Sequence, residues 1–212
     1  MSAIAYEQYN LLQEILPQID DSGKDTWTSN GLSNKYSSMI VYNNLMGDEE
    51  GHPFFKMIWS SSSRFKHKIF IWLMAHYRIN TRSLLQRKGM HLDNASCPNC
   101  NQRAEETPMH LFWDCQFAQD CLHTIIPGRK RGTSIYEDIN LAKDHLPKHF
   151  ASEIIMLGSW NIWKQRNDKI FKQHQQSVQA WRFYFKKALK LLRFKVKEKY
   201  FQELSDWISC NF

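Results

Sequence analysis

The spacing Cys97-x2-Cys100-x9-His110-x4-Cys115 constrains this chain more than any other feature, because it gathers three thiols and one imidazole in a short stretch. Sulfur and imidazole nitrogen are the ligands of a closed tetrahedral zinc site, and four protein ligands leave no position open for water. The metal read from this spacing is a structural Zn2+ that props the fold. The short turn Cys97-Pro98-Asn99-Cys100 can point both sulfurs at one ion. On an unbroken helix His110 and Cys115 would be rotated by about 140° from each other, so the spacing predicts a distortion or a helix end between them. Cys121 and His123 are the rival ligands. Either would leave one of the better-spaced four unused, and Cys121 also reads as a small core hydrophobe. Cys210 reads as a free thiol.

The surroundings of these cysteines decide their redox state. The first twenty residues hold no Lys or Arg and no apolar core of a signal peptide. No stretch approaches the ~18 apolar residues of a membrane span. Nuclear or cytoplasmic residence is the expectation, and there thiols stay reduced and available to a metal. The run Arg129-Lys130-Arg131, flanked by Gly128 and Gly132, reads as a solvated turn or a weak nuclear signal. With 42% apolar residues in 212, the chain has material for a real core, which excludes the disordered and collagenous classes.

Helical periodicity dominates. A first helix is expected over about residues 2–16, capped by Ser2, apolar at Ile4, Leu11, Leu12 and Ile15, and stopped by Pro17. A turn-rich stretch covers residues 20–35. Short helices are expected at residues 37–46 and 53–60, the second opened by Pro53. From Phe65, the series Phe65, Ile69, Trp72, Leu73 and His76 predicts a helix buried along that face. Thr81 can cap a helix bearing Leu84 and Leu85, which Gly89 ends in a left-handed conformation. Ser134-x2-Glu137 has capping-box spacing for a helix stopped by Pro147. Residues 148–172 are apolar on several sides (Phe150, Ile154, Ile155, Leu157, Trp160, Trp163, Ile170, Phe171), which predicts burial between neighbours. One last helix over residues 176–208 places Val178, Trp181, Phe185, Ala188, Leu189, Leu192 and Val196 on one stripe. The expected fold is mostly α, a helical bundle around a small Cys3His zinc-knuckle-like module, with an acidic segment 1–63, a zinc module 64–124 and a basic helical segment 125–212.

Charge is distributed unevenly. Residues 1–63 carry three lysines against eight carboxylates, net −5, and residues 64–212 are net +12. A polyanion would land on the basic part. Two zones interleave cations with aromatics, the pattern that combines phosphate neutralisation with base stacking. One is Arg64, Lys66, Lys68, Arg78, Arg82, Arg87 and Lys88. The other is the basic side of the last helix, with Lys186, Lys187, Lys190, Arg193, Lys195 and Lys197. The competing reading is a solvated helical surface, with Trp72, Trp160, Trp163 and Trp181 in the core at helical spacing. A basic amphipathic helix lying on anionic lipid ranks last, since packing on residues 148–172 uses the same apolar stripe.

Several motifs resemble one known family. The run Ile58-Trp59, Lys66-x3-Phe70-x-Trp72, Leu84-Leu85-x-Arg87, Cys97-x2-Cys100, Glu106-Thr107, His110-Leu111-Phe112 and Cys115-x-Phe117-Ala118-Gln119 resembles the zinc-binding region of plant LINE-type (non-LTR) retrotransposon reverse transcriptases, which lies downstream of their polymerase domain. Asp25-x-Trp27 with Tyr42 before it, and Trp160-x2-Trp163-x2-Arg166-Asn167-x3-Phe171 after it, extend the resemblance over about residues 25–172. Phe65 stands where that family usually has Pro, and Leu122 where a Trp is common; both read as core substitutions. There is no Tyr-x-Asp-Asp polymerase signature. The resemblance implies zinc ligation by Cys97, Cys100, His110 and Cys115, and an ancestral task of gripping template RNA or target DNA for the polymerase; this chain, read as free-standing and without the polymerase, is expected to bind RNA or single-stranded nucleic acid. Catalysis is not expected, because no nucleophile, base and orienting group can be named together. The alternative is a module adopted by a host, acting on a regulatory or toxic path through a protein partner.

Overall fold

The computed structural model describes residues 3–15, Met39 and 52–212, which fall in two compact units, Met1–Glu50 and Gly51–Phe212. In the first unit, α1 (Ala3–Ile15) forms where expected, with Leu11 and Leu12 exposed. Its expected cap Ser2, the stop Pro17, the turn-rich stretch, Trp27 and Tyr42 lie outside the described residues, as does the expected helix at 37–46 except for Met39, which is helical.

The second unit is all-helical among its described residues, apart from one isolated antiparallel bridge between Ser96 and Glu105. Its elements in order are α2 (Pro53–Ser60), α3 (Phe65–Ala75), α4 (Arg82–Arg87), a π-helical turn (His110–Asp114), α5 (Gln116–His123), α6 (Ile135–Lys143), α7 (Ala151–Lys172), α8 (Val178–Leu192), a 3-10 turn (Glu198–Tyr200) and α9 (Phe201–Asn211). Pro53 opens α2, where the missing amide hydrogen costs nothing. Gly89 closes the chain after α4 with φ +80°. Ser134 caps α6 by accepting the Glu137 N–H. The Glu137 carboxylate turns back one residue further than a capping box requires, to the N–H and hydroxyl of Thr133.

The long helix α7 is the axis of the unit. It packs against α3, α5, α6 and α8, and from Ala151 to Leu157 nearly every residue is buried. The expectation of burial on several sides is met there, but Phe171, near its exposed end, is 76% exposed. Trp181 and Phe185 of α8 stack on each other, and the Trp181 indole N–H donates to the Gly158 carbonyl of α7 at 3.1 Å. Phe112 of the π-helical turn meets Phe70 of α3 edge to face and Trp163 of α7 at a tilt.

Two expectations are corrected. In α3 the buried side chains are His67, Phe70, Ile71 and Met74, a face rotated from the expected Phe65–His76 series; Phe65 is 70% exposed and touches Trp59. Phe65 is therefore not a core substitution, whereas Leu122 is buried. The single last helix is in fact broken after Leu192. The chain turns and α9 folds back to bury Leu204 and Ile208. Its end is held by Arg182, donating to the Asn211 carbonyl at 3.0 Å, and by Lys186, donating to that of Phe212 at 3.1 Å.

These two faces of α3 separate cleanly by mutation. Phe70→Ala, at a buried ring of α3, is expected to lower the unfolding free energy by about 3–5 kcal/mol, whereas Phe65→Ser should stay within about 0.5 kcal/mol of the parent. Urea unfolding followed by tryptophan fluorescence measures both.

Candidate metal centre and basic surface

The metal cluster is built from one short hairpin and one distorted helix start. The Cys97 N–H donates to the Ala104 carbonyl and the Glu106 N–H to the Ala95 carbonyl, both at 2.8 Å, which closes the base of the loop that carries Cys97 and Cys100. The Asn99 N–H donates to the Cys97 sulfur at 3.4 Å, inside the Cys-Pro-Asn-Cys turn. The Thr107 hydroxyl accepts the backbone N–H of His110 and starts the second arm. From His110 the backbone widens into a π turn closed by the Cys115 N–H on the His110 carbonyl at 2.7 Å. The expected distortion is thus present, and it rotates His110 and Cys115 onto one side. Cys115 is then the N-cap of α5.

The four donor atoms of Cys97, Cys100, His110 and Cys115 lie within 4.8 Å of one another. Cys97 Sγ and Cys115 Sγ are 3.8 Å apart, and Cys100 Sγ is 3.3 Å from His110 Nε2. Metal–sulfur bonds of about 2.3 Å at tetrahedral angles put two sulfurs about 3.8 Å apart, so the spacing fits a zinc-sized ion. The electrostatics favour a thiolate here. Chiefly through the hydrogen bond from Cys97, and with the backbone N–H groups of Ala118 and Phe117, the Cys115 thiol is pulled down to about 6. Its hydrogen-bonded partner Cys97 is pushed up, by that same bond and by burial. A divalent cation at the centre would supply the charge that lets all three sulfurs ionise. The rival ligands stand apart from this cluster. Cys121 is fully buried in the core on α5, with its thiol pushed up by burial, and His123 is exposed.

A buried ion pair fastens this centre to the rest of the fold. Arg166 of α7 donates from Nε and Nη2 to the two oxygens of Glu106, at 2.8 and 2.6 Å. The same carboxylate accepts the Arg82 N–H that begins α4, at 2.7 Å, and the Ser83 hydroxyl donates to the Glu106 carbonyl. Side-chain exposure is 0% for Glu106 and 4% for Arg166. Nothing in the local sequence pattern assigns this role. The available signal was that Glu106-Thr107 and Arg166-Asn167 both belong to the resemblance.

The basic candidates divide by what they touch. Arg82 reaches the Asn94 side chain and the Ser96 carbonyl and so braces the metal hairpin. Lys68 donates to the Trp59 carbonyl, Lys88 to the Asn80 side chain and Lys186 to the Phe212 carbonyl. Arg193 lies over the Phe201 ring. Arg87, Lys190 and Lys197 are exposed. Arg64, Lys66 and Lys187, from both zones, come together around one opening with Lys164 and Lys195. Lys164 escaped the sequence reading because it sits on a helix that reads as buried.

A family model described as zinc-binding in reverse transcriptase matches residues 36–121, the stretch that contains all four donors. No curated protein and no solved structure matches the chain.

Two measurements test this site. Native mass spectrometry should find one zinc per chain, lost in Cys97→Ser and His110→Ala with a broad loss of thermal stability, since metal binding and folding are coupled. Glu106→Gln, which leaves the Arg166 charge buried without its partner, should cost about 3–5 kcal/mol in urea unfolding with zinc in excess.

Proposed function

We propose that this protein is a non-catalytic, zinc-stabilised binder of RNA or single-stranded nucleic acid, derived from the zinc-binding region of a LINE-type reverse transcriptase of plant origin. The observation that carries this reading is the convergence of Arg64 and Lys66 with Lys164, Lys187 and Lys195 around one opening that no carboxylate lines. These cations come from three separate stretches of sequence, and all five are exposed. Phosphates attract such a cluster, and release of their counterions drives binding. A zinc held by four protein ligands is structural, because no coordination position is left for a substrate. The match to a zinc-binding region of reverse transcriptases supports the descent, and a nuclear or cytoplasmic site of action suits it.

A second reading rests on a different observation. Phe183, Leu191 and Phe194, on or just beyond α8, are exposed, and apolar groups of this kind anchor protein partners as readily as they stack on bases. In that case the module would act through a host protein.

Salt separates the two. Anisotropy with a labelled single-stranded RNA is expected to give log Kd rising with log salt at a slope of about 2 to 3.5, at about 0.7 per neutralised phosphate. The pair Lys187→Gln and Lys195→Gln should lower that slope by about 1.4. Absence of binding at low salt would reject the nucleic-acid reading in favour of a protein partner.

A further inference from the structure

The basic opening leads into a cavity of about 290 Å³ between the first turn of α3, the middle of α7 and the outer half of α8. That volume is close to the ~300 Å³ lower end of ligand pockets, so it suits one small molecule or one unit of a chain. Its lining has two characters. One side is apolar, with Leu157, Trp160, Ala188, Leu191 and Leu192. The other is the first turn of α3 and the loop before it, carrying Ser63, Arg64, Lys66 and His67.

Two polar groups on that second side are unexplained by the fold. Ser63 and His67 are only 8% and 6% exposed, and Ser63 Oγ and His67 Nδ1 have no hydrogen-bond partner and are shielded from solvent, so that a turn of either side chain is what presents them to the cavity that both residues line. A buried hydroxyl or ring nitrogen left without a partner destabilises a protein by about 1–3 kcal/mol, and such groups mark places where a further molecule completes the bonding. Burial, with Lys66 and Arg64 alongside, lowers the His67 pKa to about 4. The ring is then neutral at pH 7, an uncharged hydrogen-bonding group beside two cations. Arg64 is the N-cap of the eleven-residue α3 and makes no side-chain cap, so the positive end of that helix also faces this side without a capping group.

We propose that this cavity is a seat for one nucleotide of the bound strand. Its phosphate rests against the rim cations and the start of α3, where Ser63 and His67 turn to donate to it, and its base lies along the Trp160–Leu191 wall. The proposal rests on the strand-binding reading and specifies where a strand is gripped. A bare inorganic anion would leave the apolar wall unused, and an apolar ligand without a phosphate would leave the polar groups and the cations of Arg64, Lys187 and Lys195 unanswered, Lys66 and Lys164 already lying over the Trp160 and Tyr184 rings; a nucleotide meets both.

The test uses the zinc-loaded full chain and calorimetric titration with cytidine 5′-monophosphate, cytidine and inorganic phosphate, followed by competition of the monophosphate against labelled single-stranded RNA. The monophosphate is expected to bind at least tenfold more tightly than either fragment and to displace RNA. Ser63→Ala and His67→Phe should each weaken the monophosphate and the RNA by about tenfold, the effect of one hydrogen bond to a charged group. Neither should change the salt slope, because neither removes a cation. Ser63→Ala should melt no lower than the parent, which keeps its affinity loss distinct from unfolding, and Lys130→Gln, remote from the cavity lining, should bind as the parent does. RNA binding that Ser63→Ala and His67→Phe leave untouched, with no monophosphate binding, would overturn the seat and leave the strand reading standing. Monophosphate binding without RNA binding would overturn the strand reading and, with it, the seat as part of a bound strand.

Discussion

The Glu106–Arg166 pair is the interaction on which the arrangement of the second unit depends. A carboxylate wholly removed from solvent must have its charge met nearby, and Glu106 is met by the guanidinium of α7 and by the amide hydrogen that opens α4. One side chain therefore ties together the metal hairpin, the basic stretch before it and the central helix. The pair also sets the position of Trp163, since Arg166 lies over its ring at 4.8 Å and that ring in turn meets Phe112 of the π turn. Loss of either charge would strand the other in the core, so the metal centre and α7 are coupled electrostatically as well as by packing.

What could be read from the sequence was local. The four metal donors lie close along the chain, and their chemistry is restrictive enough that spacing alone brings them together; even the helix distortion follows from the mismatch between five residues and a helical turn. The start of α2 at Pro53, the cap at Ser134 and the left-handed Gly89 are likewise single-residue constraints. The face of α3 was not legible for a physical reason. That helix is apolar nearly all round, so Phe65–Ile69–Trp72 and Phe70–Ile71–Met74 both satisfy helical periodicity, and only packing against α7 selects between them. A histidine, His67, occupies the selected face, which reverses the usual polarity signal. The break after Leu192 carries no Pro or Gly; it is set by the return of α9, whose reward is the burial of Leu204 and Ile208 and the clasp of Arg182 and Lys186 on the last carbonyls.

The basic surface shows how a charge count differs from a charged site. The +12 of residues 64–212 is real, yet several of the cations it includes are occupied as braces for backbone carbonyls. Those that gather around a common opening are fewer and come from α3, α7 and the end of α8. Their assembly depends on the tertiary fold, and with it on the metal centre that positions the turn packed against α3 and α7.

The π turn between His110 and Cys115 changes how relatives of this chain should be recognised. Such a turn is an ordinary helix that has taken in one additional residue. On an unwidened α-helix, ligands four positions apart differ by about 40° and share a face. A chain with three residues between the histidine and the last cysteine would therefore present the same two donors in the same direction, with the bulge gone. The invariant quantity is the shared face, and a pattern that fixes four residues between the two ligands would pass over proteins whose centre is geometrically the same.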